Sequence, residues 1–403
     1  MDRVQVHNPS ELHQALNRTG PRQILIRGQL SGLPGLALQP GQRLSAAEAG
    51  ACLQFLPGSD GVCLSADNGI SGLSLLVSPE RRALHNLRTR ADLGRIELSD
   101  LTVEGQVQLI ASGSVQRGSV SVSNLDIRRA DTRQREEVAS GNGVRVMQGA
   151  LTVWNQQTDA RSRITAHLHD VRIGSKQSPV LGGGIFLSGE GSATGGRLSV
   201  DLLHTHSVHV DSGLPIGTTD TVAAAVFILH GATAQHVRSA GPVETYGPNC
   251  VALDNWGEVA EWIAESDVRS HGPSAIAIVN AGRLELLRIE GAVETLGEGA
   301  RGMSIYADTG AIQMRSVVTR GNAATAIHVT RSVRRLTVAE GITTYGSSGD
   351  SLVKGVMHRM HADGIEIEPG AAMGDCRICG SVRVHGNGAA AFRIAADSRS
   401  TEV

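Results

Sequence analysis

Apolar and polar positions alternate in short runs along almost the whole chain, and the runs recur. The clearest register lies in the C-terminal half. Val243-Glu-Thr-Tyr-Gly247, Val268-Arg-Ser-His-Gly272, Val293-Glu-Thr-Leu-Gly297, Val317-Val-Thr-Arg-Gly321 and Ile342-Thr-Thr-Tyr-Gly346 carry glycines 25, 25, 24 and 25 residues apart. Val382-Arg-Val-His-Gly386 takes the pattern up again after an insertion at 347–361. A few residues past each glycine stands a second word: small, apolar, variable, apolar. It reads "CVAL" at Cys250, "AIAI" at Ala275, "GMSI" at Gly302, "AIHV" at Ala326, "GIEI" at Gly364 and "AFRI" at Ala391. Upstream the same word reads "AVFI" at Ala225, "GIFL" at Gly184, "GVRV" at Gly143 and "GVCL" at Gly61. A third alternating run follows, as in "RLELLRI" from Arg283 to Ile289.

Alternation buries one face of a strand and wets the other. Three short strands per 25 residues, split by Gly, Asn and Asp and repeated about a dozen times, mark a solenoid. No helical spacing recurs within the repeats. The predicted fold is all-β: a single-domain parallel β-helix of roughly 12 coils. Each coil leaves its apolar side open, and stacking joins these sides into one core.

The ends differ. Residues 1–30 read as a cap of strand, short helix and strand. In "NPSELHQAL", Asn8 caps, Pro9 takes the first helical position and Glu11 stands three residues past the cap. Leu12, Ala15 and Leu16 share a face, and Gly20 stops the helix. Residues 31–403 then form the coils. No second helix follows Ile394, so the last coil is an open edge. The insertion at 347–361, or a second copy of the chain making a homo-oligomer, is expected to cover it.

Composition sharpens this picture. Phe, Tyr and Trp number only ten in 403 residues (4 + 3 + 3), so Val, Ile, Leu and Ala must fill the core in narrow, similar layers. A net charge of −2 gives no reason to expect nucleic acid or an anionic membrane as partner. No apolar run approaches the roughly 18 residues of a membrane span. "MDRVQVHN" lacks the plan of a secretory signal, which makes the cytoplasm the expected compartment. Five cysteines do not make a disulfide framework, and the CxxC of Cys376 and Cys379 reads as small apolar filling in a strand.

The repeat resembles the right-handed parallel β-helix of the pectate-lyase-like superfamily, over nearly the whole chain and by architecture. The resemblance implies chemistry on acidic polysaccharides along a lateral groove. Its hydrolase motifs are absent: there is no Asn-Thr-Asp, no adjacent Asp-Asp and no Arg-Ile-Lys, and "SHGPS" at Ser270 lacks the first glycine of a Gly-His-Gly. The calcium-binding aspartates of the lyases have no clear counterpart.

Stacked coils make columns of equivalent residues about 4.8 Å apart, with or without a function. Thr245, Ser270, Thr295, Thr319 and Thr344 form a hydroxyl column. Glu244, Arg269 and Glu294 form a charged one. Asp100, Asn124, Asp170, Ser207 and His236 align as a polar corner. "AHLHDVRI" at Ala166 and "LHTHSVHV" at Leu203, slid by 37 residues, place His167 on His204 and His169 on His206. The pair of words predicts a two-by-two imidazole array on an outer face, extended by Arg172, His209 and Arg238. Parallel side chains on a flat face diverge, so no metal and no cofactor is expected there.

At these words the period lengthens to 41, from Val144 to Ile185 to Val226, with long loops between 147 and 225. Phe186 and Phe227 share an outward column beneath those loops. The expected site is a lateral cleft over coils 144–238. His167, His169, His204, His206 and Asp170 are its catalytic candidates. Arg172, His209, Asp211, Asp220, Phe186, Phe227 and Arg238 are its candidates for holding an acidic saccharide or a small-molecule ligand. The leading expectation is a carbohydrate-active enzyme: lyase, hydrolase or epimerase. The alternatives are a non-catalytic scaffold or binding protein, and an intracellular isomerase or cyclase working on a small metabolite in a closed apolar pocket.

Overall fold

The computed structural model describes residues 2–138, 143–353, 356–396 and 399–400. The chain is a parallel β-helix. One sheet has fifteen strands, of which thirteen form a continuous parallel ladder from Leu36–Ala37 to Phe392–Ile394. The second sheet has 22 strands and wraps the rest of each coil. The repeated words fall where the alternation puts them. "CVAL", "AIAI", "GMSI", "AIHV", "GIEI" and "AFRI" lie in ladder strands, and the Val-x-Thr-x-Gly words lie in the larger sheet.

Val, Ile, Leu and Ala from successive coils make one continuous core, in which Trp262 and Phe55 are the aromatic members. The hydroxyl column is fully buried at a corner. Thr245, Thr295 and Thr319 each donate to the carbonyl five residues on, at 3.3, 2.7 and 2.7 Å. The column therefore pins the turn within a coil as well as joining coils. Six glycines, Gly247, Gly272, Gly297, Gly321, Gly346 and Gly386, pack one on the next. A Cβ on each of the last five would overlap the carbonyl of the glycine before it.

The N-terminal cap forms as the sequence predicts. The helix Pro9–Asn17 buries Leu12, Ala15 and Leu16. Asn8 Oδ1 accepts from the Glu11 amide at 3.0 Å, and Glu11 reaches back to the His7 amide at 2.7 Å.

Three expectations are corrected. "GVRV" at Gly143 is not in the ladder. Gly149–Asn155 takes that place, pairing Val107 with Leu151 and Leu151 with Ile185. Arg145–Met147 instead forms a hairpin with Glu136–Val138 and pairs Arg145 with Thr221. Among the described residues no strand of the insertion pairs with the last coil. The insertion's strands Gly349–Val353 and Val356–Met360 pair with each other, and Ser351 lies against Gly299, several coils back. Residues 354–355 of the insertion and 397–398 and 401–403 of the tail lie outside the described residues. The polar corner column also ends sooner than the alignment predicts. Asp100, Asn124 and Asp170 do share it, each in the left-handed backbone region, with φ of 54°, 54° and 56°. Ser207 and His236 do not, because the register slips in the following coil.

All five cysteines are free. Cys376 is buried in the core and Cys379 is exposed. Among the described residues no helix is long and apolar enough to cross a membrane.

Candidate functional site

The register slip decides how the histidines meet. Strand Arg163–Ile173 pairs with Arg197–Asp211 so that His167 faces Leu202 and Leu168 faces Leu203. The offset is 35, not 37. A residue is gained near Asp201, and Asp170 is skipped where the strand bends. His169 therefore stacks on His204, with ring centroids 4.9 Å apart and planes 20° from parallel. His204 meets His206 edge-on at 5.4 Å. The two-by-two array does not form.

The side chains converge on Asp170 rather than diverging. Its carboxylate lies 3.2 Å from His169 Nδ1, 2.9 Å from His204 Nδ1 and 3.1 Å from His206 Nε2. Nδ1 of His204 is enclosed, and the carboxylate lies outside hydrogen-bonding geometry for it. Burial holds the His204 imidazole below the usual histidine range, the carboxylate of Asp170 opposes that, and His169 and His206 reinforce it. The carboxyl of Asp170 lies below its ordinary value: the three imidazoles outweigh partial burial, which acts the other way.

The other predicted residues are dispersed. His167 leaves the cluster and meets Asp201 at 2.8 Å. Arg172 reaches Asn124 at 3.5 Å, and Arg238 pairs with Glu265 at 3.1 Å. His209 is buried against the Tyr246 hydroxyl at 3.0 Å. Asp211 accepts the Gly213 amide at 2.9 Å. Asp220 accepts the Thr221 hydroxyl at 3.0 Å.

Phe186 and Phe227 are neighbours in the ladder, as predicted, but neither is exposed. Each is 1 % accessible. With Val146, Leu229, Val251, Trp256, Ile276 and Val279 they form a second apolar cluster on the outer face of the ladder sheet. Arg145–Met147 and residues 212–222 close over one end of it. The Arg145 amide donates to the Asp220 carbonyl at 2.6 Å, and Asn249 Nδ2 to the Thr218 carbonyl at 2.6 Å.

Beyond that cover the same face opens into a groove of about 460 Å³. Its floor is three columns of outward side chains from consecutive coils. Val251, Ile276 and Arg301 make one, Asp254 and Val279 the second, and Trp256, Ala281 and Tyr306 the third. None of the predicted catalytic histidines lines it. The long loops supply an end wall, and the floor lies one to three coils further along than expected.

Two charged side chains sit unusually on this floor. Asp254 is 1 % accessible, and its Oδ1 has no hydrogen-bond partner among the described residues. Burial raises its carboxyl well above the ordinary range, against a hydrogen bond from Trp256. Arg301 is 5 % accessible. Its Nη1 donates to the Tyr306 hydroxyl at 2.9 Å, and its Nε has no partner among the described residues. A buried carboxyl and a buried guanidinium thus line one apolar, aromatic-walled groove. At its far end His328 pairs with Glu368 at 3.2 Å. Burial, and then the charge of Arg301, hold the His328 imidazole low.

Sequence reasoning missed Asp254, Arg301, Trp256 and Tyr306. The repeat words ended just before or began just after them. The available signal was an acid directly after two phenylalanines in one outward column, with one of three tryptophans two residues on. No protein-family model, curated protein or solved structure matches the chain.

Proposed function

We propose that the chain is a carbohydrate-active β-helix protein of the pectate-lyase-like kind, with the outer groove of the ladder sheet as its site. The observation that carries this reading is the presence of Arg301 and Asp254 on one groove floor. Arg301 would take the carboxylate of a uronic-acid unit through its guanidinium, as such groups do. Neutralising that carboxylate would hold the acidic unit in the apolar groove, and Asp254 would hydrogen-bond to the sugar beside it. Trp256 and Tyr306 offer aromatic walls to the apolar faces of the rings. The floor crosses three coils, from Val251 through Ile276 to Arg301, a run of roughly 10 Å.

The test is to incubate the full chain with uronic-acid oligosaccharides and follow chain shortening by mass spectrometry. Shorter or unsaturated products, lost in Arg301→Ala and Asp254→Asn, support the reading. Binding without turnover moves it to a non-catalytic saccharide-binding protein. The apolar residues Val251, Ile276, Val279 and Ala281 favour a second reading, in which a carboxylate-bearing small metabolite occupies the same floor. Binding of such a monomer, with none of the oligomers, would select it.

A further inference from the structure

We infer that His169, Asp170 and His204 bind one divalent transition-metal ion, Zn²⁺ being the closest chemical match, with His206 against the same carboxylate. The cluster lies on the larger sheet, away from the groove, and its case is independent of the saccharide reading.

Geometry is the first argument. Zn²⁺ bonds of 2.0–2.1 Å in a tetrahedron set neighbouring ligand atoms about 3.3 Å apart. The imidazole nitrogens stand 3.2, 2.9 and 3.1 Å from the Asp170 carboxylate. Ligand atoms of His169, Asp170 and His204 all lie within 4.8 Å of one another. Breathing outward by a few tenths of an ångström would admit the ion. The backbone aims the carboxylate: Asp170 takes the left-handed conformation at the strand bend, with φ of 56°, and stands between two coils.

Chemistry is the second. Two imidazoles and a carboxylate suit Zn²⁺ and its neighbours, not Mg²⁺ or Ca²⁺. Among the described residues no Arg or Lys pairs with Asp170; imidazoles are its charged partners. Nδ1 of His204 is enclosed and stands 2.9 Å from the Asp170 carboxylate. The one other such cluster, His328, Glu366 and Glu368, has the Arg301 charge acting on it and is the poorer cation site. An ion at Asp170 would staple the coil of 163–173 to that of 197–211, each of which carries a long loop.

The test uses the full chain stripped with chelator and titrated with ZnCl₂ by calorimetry, and with Co²⁺ by visible absorption. The expected result is one equivalent per chain, the intense bands of tetrahedral Co²⁺ and a raised melting temperature. His204→Ala and Asp170→Asn should each weaken binding more than about tenfold, since even outer partners of a metal ligand cost 10–100-fold. Asn tolerates the left-handed backbone, so Asp170→Asn keeps the bend. His13→Ala, on the distant N-terminal helix, should change nothing. The inference is overturned if neither ion binds, if Co²⁺ shows only weak octahedral bands, or if His204→Ala binds as tightly as the parent.

Discussion

The imidazole of His169 lies flat on that of His204, 4.9 Å centroid to centroid, and both Nδ1 atoms face the carboxylate of Asp170. In the metal-free protein that carboxylate supports the charged form of His204, while burial opposes it. Asp170→Asn should therefore move the His204 titration midpoint further down. Two-dimensional NMR of the imidazole protons in chelator reads this directly. An upward or absent change would mean that Asp170 does not act on His204.

His85 makes the chain sensitive to mild acid. Burial, reinforced by Arg82, lowers its imidazole to about 4 from an ordinary 6.5. The folded state thus takes up its proton later than the unfolded state does. Stability from this group is complete above pH 6.5 and is lost as pH falls from 6.5 toward 4, by at most roughly 3 kcal/mol. Urea denaturation at pH 7 and at pH 4.5 should show the loss. His85→Gln, which cannot titrate, should shrink the difference between the two.

Phe227 stands edge-on to Trp256 at 4.9 Å and to Phe186 at 6.4 Å, beneath the loops. Phe227→Ala should cost about 3–5 kcal/mol, and Phe227→Leu less than about 1.5. Denaturation midpoints separate the two. Equal, small effects would mean that the second apolar cluster is not packed as a unit.

The glycine column is a packing requirement. A Cβ on Gly297 would overlap the Gly272 carbonyl, whereas one on Gly28 meets nothing within 4 Å. Gly297→Ala should destabilise by at least about 2 kcal/mol, because only a shift of the whole coil makes room. Soluble Gly297→Ala with a parental melting temperature would contradict this.

The fold was legible because it is periodic. A period of 25, alternation and a glycine that must sit on another glycine are all visible along the chain, and Asn8, Pro9 and Glu11 announce the cap. The histidines were half legible. Their neighbouring coils follow from the words, but the slip near Asp201 and the left-handed turn at Asp170 break the spacing that an alignment assumes. "GVRV" misled for a similar reason: its alternation suits an edge hairpin as well as a ladder strand. The groove was least legible. Asp254 and Arg301 reach one groove floor from coils two apart, and its end wall is formed by Arg145–Met147 and 212–222, which have no repeat to read.

The central claim is that Arg301 receives an acidic sugar. Calorimetric titration of the full chain with a uronic-acid hexamer, beside Arg301→Ala and Arg301→Lys, tests it most directly. The account predicts one site, binding weakened by about 10–100-fold in Arg301→Ala, as for a lost charged hydrogen bond, and a smaller loss in Arg301→Lys. No binding by the parent chain, or equal binding by a folded Arg301→Ala, would contradict it.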